Sequence, residues 1–254
     1  MRIDVLGCGS AFSLHHTTSA IRIIDNQQAQ WLIDCGPTVP RALWNRKVDI
    51  NAIDVIFFTH IHPDHCAGLA VLLNHWKSFG RVKPLQIYCQ SEQQTVLVNQ
   101  IALANWPHTE LTFPIEILDS QPEWKWCGWQ IRTAFAQHEI PSQAIRIEAD
   151  NHVLFYSGDG RPTDATQSLM AGSALAFQEC ASWQPLTTDA SHGDYPACLA
   201  LCEKLALNLM VLYHTQDADR TAITRACALH PNLRLSNDGT LFDLEKPNWL
   251  QAAL

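Results

Sequence analysis

The stretch VIFFTHIHPDHCAGLAVLL, from Val55 to Leu73, does most to restrict the folds open to this chain. Apolar residues run up to Thr59, as in a strand buried on both faces. His60, His62, Asp64 and His65 then arrive within six residues, and a pattern of helical period begins directly afterwards. A strand that passes to a helix through a short polar loop is the unit of an open α/β sheet, and such sheets place ligand sites beyond their strand ends. Three imidazoles and a carboxylate have no packing value in a loop. Nitrogen and oxygen donors this close together suit a divalent metal such as zinc.

Elsewhere, short apolar runs rich in Val, Ile and Phe alternate with helical patterns, which predicts an α/β class. Strands are expected at Arg2–Leu6, Ala20–Ile24, Gln30–Asp34, Val55–Thr59, Leu85–Cys89, Gln130–Ala136, Ala144–Glu148, Val153–Ser157, Ala174–Gln178 and Leu209–Tyr213. Helices are expected at Val39–Asn45, Cys66–Phe79, Glu92–Ala104, Pro196–Leu205 and Ala218–Leu229. The segment EWKWCGWQIR predicts a hairpin, with Glu123 and Lys125 on one face and Trp124 and Trp126 on the other. No repeat, low-complexity tract or linker divides the 254 residues, so one domain over 1–254 is expected.

A hydrophobic content of 47% with 9 Trp supplies a core and excludes intrinsic disorder. No apolar run approaches the roughly 18–20 residues of a membrane span, and MRIDVLGCGS reads as a strand and a Gly-rich turn rather than a secretory leader. Nine Cys without framework spacing point to reduced thiols in a cytoplasmic protein. Cys198 and Cys202, one helical turn apart, read as helix packing. With 25 acidic against 17 basic residues the net charge is -8, which argues against a broad electrostatic grip on nucleic acid.

Later apolar runs also end in ligand-type residues. IRTAFAQ leads to His138, VLFYSG to Asp159, LAFQ to Glu179 and LMVLY to His214. Strand ends of one sheet can converge on one rim, so these residues are expected to join His60–His65 in one site. His15 and His16, in the loop after the first strand, read as solvated loop histidines. Trp106, Pro107 and His108 read either as a pocket wall or as packing.

THIHPDH (Thr59–His65), His138, Asp159 and His214 resemble, in that order, the metal motif of the metallo-β-lactamase superfamily, over Met1 to about His214. The resemblance implies a four-layer αβ/βα sandwich with two divalent metal ions, zinc first, with manganese or iron also able to take such donors. By position, His60, His62 and His138 would hold one metal, Asp64, His65 and His214 the second, and Asp159 would bridge them. Within the superfamily the chain looks most like the ribonuclease Z group. LGCGSAF (Leu6–Phe12) and LIDCG (Leu32–Gly36) resemble that group's first two turns. QEC (Gln178–Cys180) and SHG (Ser191–Gly193) fall where it has a catalytic Glu paired to a His, which would be Glu179 and His192.

Two departures matter. Only 20 residues separate His138 from Asp159, and IRIEADNHVLFYS reads as two consecutive strands, so no tRNA-gripping arm fits there. Pro63 stands where Gly is common, which stiffens the loop. The expected activity is a cytoplasmic metal-dependent hydrolase of a small phosphodiester, such as a cyclic nucleotide or nucleotide-derived ester, with Asp64, His192 and Glu179 as catalytic groups. The alternatives are hydrolysis of an aryl sulfate, thioester or lactone on the same fold, or non-catalytic metal-dependent binding. The partner is then a small ester rather than tRNA or a membrane. Because ribonuclease Z relatives are often dimers, a homodimer is among the expected states.

Overall fold

The computed structural model describes residues 1–108 and 110–246. The expected single domain of 1–254 therefore runs past them, and residues 247–254 lie outside the described residues. The first half builds β1 (Arg2–Gly7), β2 (Ala20–Ile24), β3 (Gln30–Ile33), α1 (Val39–Asn45), β4 (Val55–Phe57), α2 (Pro63–Cys66), α3 (Leu69–Ser78), β5 (Leu85–Cys89), α4 (Gln94–Asn105) and β6 (Ile115–Asp119). The second builds β7 (Glu123–Trp126), β8 (Trp129–Phe135), β9 (Gln143–Ala149), β10 (His152–Tyr156), α5 (Asp164–Met170), β11 (Leu175–Glu179), α6 (Tyr195–Lys204), β12 (Met210–Tyr213), α7 (Arg220–Cys227), β13 (Leu233–Leu235) and β14 (Leu241–Asp243).

The strands form two seven-stranded sheets, ordered β14-β1-β2-β3-β4-β5-β6 and β13-β12-β11-β10-β9-β8-β7. Alternate residues of the central strands face opposite layers, as the two-residue period of a strand requires. Ile3, Ile23, Trp31, Val55 and Phe57 meet Ile131, Ile147, Tyr156, Phe177 and Val211 between the sheets. The opposite faces are covered by helices. Leu32 and Ile56 pack under Leu43, Leu72 and Trp76, while Phe155 and Leu212 pack under Leu201 and Ile223. The result is an αβ/βα sandwich.

Most expected elements are present, with differences that have physical causes. The single helix expected over Cys66–Phe79 is two, broken at Gly68. The backbone of Cys35 and Gly36 presses so closely there that a Cβ at Gly68 would lie 2.1 Å from the Gly36 carbonyl oxygen. Three strands were not anticipated. β6 lies at a sheet edge with a broken burial pattern, and β13 and β14 have three residues each, too few to show a period. Helix α5 was also missed; Thr163 and Thr166 cap it reciprocally in a box whose third position is usually Glu or Gln. The hairpin β7–β8 has Glu123 and Lys125 exposed and Trp124 and Trp126 turned inward, where Trp124 stacks on Trp31 and Trp126 meets it edge-on. Cys198 and Cys202 are buried on α6 in the outer core. Between His138 and Asp159 the chain forms the antiparallel hairpin β9–β10. No described helix is long and apolar enough to cross a membrane.

Candidate metal centre

The C-terminal ends of β4, β8, β10, β11 and β12, with the loops that follow them, carry the donors to a single rim. His60 and His62 follow β4, and Pro63 then opens α2, its fixed φ suited to a first helical position. Asp64 and His65 ride on that turn. His138 follows β8, Asp159 follows β10, Glu179 ends β11, and His214 follows β12.

The structure brings these residues together in two adjacent donor sets. His60, His62 and His138 form one, and Asp64, His65, Asp159 and His214 the other; within each set the donor atoms lie within 4.8 Å of one another. In the first set Nδ1 of His62 is 3.1 Å from Nε2 of both His60 and His138. In the second, Nε2 of His214 is 3.2 Å from Asp64 Oδ2 and 3.1 Å from Asp159 Oδ2, and Nε2 of His65 is 3.3 Å from both carboxylates. Donors bound at zinc distances around one tetrahedral ion stand roughly 3.3 Å apart, so this spacing fits a cation at the middle of each set.

Two of the polar atoms at the centre lack partners of their own. His65 Nε2 and Asp159 Oδ1 are buried without a hydrogen bond, which is costly unless an ion completes them. The outward atoms, in contrast, are fastened. His138 Nδ1 donates to the Ser191 carbonyl at 2.8 Å. His65 Nδ1 donates to Asp34 Oδ2 at 2.8 Å. His60 Nδ1 donates to the Thr59 hydroxyl at 3.0 Å, which in turn donates to Asp34 Oδ2 at 2.9 Å. Each ring is thereby set in the tautomer that turns a lone pair inward. Asp34 is the functional residue that sequence reasoning missed. Its one signal is a carboxylate closing the apolar run QWLI before Cys35–Gly36.

The electrostatics divide the sets. Burial, reinforced by His65, holds His60 far below the usual imidazole range, and burial with His138 lowers His62, so both stay neutral and able to ligate. In the second set burial would also lower the histidines, but carboxylates prevail. Asp159 and Asp34 push His65 well above its ordinary value, and Asp159, Asp64 and Glu179 push His214 up to about 10. Burial opposes ionisation of Asp64 and Asp159 as well, yet His214 and His65 hold both carboxyls far below the usual range. These buried carboxylates call for positive charge that either protons or a cation can supply.

Beside the two sets, Glu179 accepts from His192 Nδ1 at 2.9 Å and from the Gly193 amide at 2.7 Å. The His192 ring is half-buried, 5.1 Å from His138 and 5.5 Å from His214 between centroids, so it borders one histidine of each set. Burial would lower its pKa, but the Glu179 carboxylate raises it. His15 is exposed, and His16 turns toward Cys8 and Asp238 instead. Trp106 is 80% exposed at the end of α4 away from the rim.

An αβ/βα sandwich with this His/Asp cluster on its rim is a metallo-β-lactamase fold, and the comparisons place it in the ribonuclease Z-like branch. Ribonuclease Z of Phocaeicola vulgatus is 30% identical over 99 residues, 39% of this chain and 32% of that protein. Ribonuclease Z of Shouchella clausii is 22% identical over 314 aligned residues, covering 97% and 98%. The chain thus spans about a third of the first curated relative and nearly all of the second. The Bacillus subtilis metallo-β-lactamase fold protein YhfI superposes with a TM-score of 0.79 at 19% identity, over 94% of this chain and 98% of its own. A diphosphatase of the PhnP family superposes at 0.76 and 18% identity, over 96% and 98%. At these identities the likeness is one of fold. The family model of the anti-Pycsar protein Apyc1 matches residues 1–229, and the chain belongs to that family.

Proposed function

We propose that the protein, as one domain over 1–254, is a metal-dependent hydrolase of a small phosphodiester, a cyclic nucleotide or nucleotide-derived ester. The observation that carries this reading is His192: it is tied to Glu179 and lies against one histidine of each donor set. Ribonuclease Z relatives and the diphosphatase neighbour, whose names denote phosphoester or diphosphate cleavage, support that bond class. The acidic net charge and the short β9–β10 hairpin favour a small substrate over tRNA.

His60, His62 and His138 would hold one divalent cation, and Asp64, His65 and His214 the second. Asp159, whose Oδ1 has no hydrogen-bond partner, would serve both cations. Such cations supply Lewis acidity, bringing the pKa of water toward about 7 and offsetting charge that develops on the substrate's oxygens. Asp34 keeps His60 and His65 in their ligating tautomers. Glu179 fixes His192 Nδ1–H, so His192 Nε2 is the atom that holds a proton for the leaving oxygen. The Glu179 carboxylate favours the protonated ring against the opposing effect of burial.

Purified protein of measured metal content should release product from bis-p-nitrophenyl phosphate and from cyclic nucleotides, and not from p-nitrophenyl sulfate or a thioester. Turnover of the sulfate or thioester alone would overturn the phosphodiester assignment. Stoichiometric metal with no turnover of any substrate would leave a binding protein.

A further inference from the structure

A third group of donors lies outside the rim cluster. Cys8 follows β1, His16 sits on the returning arm of the same loop, and Asp238 comes from the turn between β13 and β14. Their donor atoms also lie within 4.8 Å of one another. Cys8 Sγ is 3.7 Å from His16 Nδ1 and 3.2 Å from Asp238 Oδ1, and those two atoms are 3.6 Å apart. Donors around a tetrahedral zinc, with sulfur at 2.3 Å and nitrogen or oxygen near 2.0–2.1 Å, stand about 3.4–3.6 Å from one another. We infer that Cys8, His16 and Asp238 form a third, structural cation site for a thiophilic divalent metal such as zinc.

The site is preorganised by backbone. Asp238 Oδ1 accepts the Cys8 amide at 3.1 Å, and Oδ2 accepts the Thr17 amide at 2.7 Å. The Gly239 amide in turn donates to Val5 of β1 at 2.8 Å. The carboxylate is thus aimed at both other donors before any ion arrives. One thiolate, one carboxylate and one imidazole carry two negative charges, matched to a divalent ion. The Asp238 side chain is 28% exposed and His16 is 20% exposed, so water can enter as a fourth ligand. Sulfur sets this group apart, because the rim sets offer only nitrogen and oxygen and soft ligands select for zinc over magnesium or calcium. Without a cation, burial keeps the thiol protonated, so metal binding here releases a proton to solvent.

A cation at this point would fasten the loop that carries Phe12 and Leu14, which are 93% and 87% exposed. It would also brace the rim, since the Cys8 carbonyl accepts the His214 amide at 2.9 Å. The rival explanation is a thiol–carboxylate–imidazole hydrogen-bond network that holds the loop unaided.

Cobalt(II) loading separates the two. A thiolate ligand gives an intense sulfur-to-cobalt charge-transfer band in the near ultraviolet, whereas nitrogen and oxygen donors give only weak visible bands. The cobalt protein should show that band. Cys8→Ser and His16→Ala should each abolish it and lower metal content by one ion per chain, while Cys66→Ser, which alters a thiol beside His65, should keep it. A cobalt protein with visible bands and no charge-transfer band overturns the site, as does a band that survives Cys8→Ser. If Cys8→Ser does not fold, His16→Ala decides, and an unchanged band and metal content there reject the assignment. Because the visible bands report the rim sets independently, failure of the third site is distinguishable from failure of the metal centre.

Discussion

Asp34→Asn tests whether a residue that touches no cation governs the centre. Asp34 is fully buried. Its Oδ1 accepts the Thr59 amide at 2.9 Å and lies 3.1 Å from the Thr59 hydroxyl, while Oδ2 accepts His65 Nδ1–H at 2.8 Å. In the variant the amide oxygen stays where it can take the Thr59 donors, so the new NH2 faces His65 Nδ1. Two donors cannot face each other, and the cheapest escape moves the His65 proton to Nε2. That is the atom which now points, unpartnered, at Asp64 and Asp159. A protonated Nε2 cannot ligate.

Loss of an outer partner of this kind costs 10–100-fold in metal affinity, or about 1.4–2.7 kcal/mol. Metal-free stability should move less. A charge-assisted bond is lost, but so is a buried charge whose desolvation pushes the Asp34 carboxyl up, and the two offset to within about 1 kcal/mol. At fixed metal concentration the loaded variant should therefore melt about 3–10 °C below wild type, with the metal-free proteins close together. Chelator-competition titration and calorimetry of both forms measure this. Wild-type affinity in Asp34→Asn would refute the argument that Asp34 sets the His65 tautomer. An equal drop in both forms would mean that Asp34 serves only the fold.

Two other substitutions probe neighbouring parts of the rim. His192→Ala should keep its metal and lose about 10²–10⁴-fold in kcat, and a parallel loss of metal would move His192 into the ligand set. Because Glu179 raises the His192 pKa, activity should fall as pH rises through that raised value, and Glu179→Gln should move this alkaline limb to lower pH. The same pair contributes stability that is fully present below the unfolded value of 6.5 and fades as pH rises through the folded one, so a pH series of melting temperatures should lose this component in Glu179→Gln. Gly36→Ala would place a Cβ 1.8 Å from the Asp64 carbonyl oxygen. We expect a loss of about 1–3 kcal/mol together with weaker metal binding, and binding at wild-type strength would show that the loop yields without moving Asp64.

The rim donors were legible because each closes an apolar run, and a strand end is the one place where sequence order translates directly into position in space. His138, Asp159 and His214 each stand one to three residues past a strand, so the alternation that marks the strands also marks the donors. What stayed hidden depends on pairing between distant segments. β14 exists because Leu241–Asp243 lie against Arg2–Asp4, which three residues cannot announce. The third donor group joins Cys8 to Asp238, and nothing local to either residue signals the other.

The break at Gly68 shows the same limit and links it to the site. The apolar period runs unbroken through AGLAVLL, yet the helix stops because Gly68 donates to the Cys35 carbonyl at 2.8 Å and Cys35 donates to the His65 carbonyl at 2.7 Å. Gly36 lets that contact close to a distance no side chain permits. The turn from Asp34 to Gly36 therefore does two things at once: its carboxylate sets the tautomers of His60 and His65, and its backbone fixes the loop that carries Asp64. A segment that supplies no donor to either set decides how the donors face each other, which is why a motif of histidines and aspartates alone identifies the centre but does not specify its geometry.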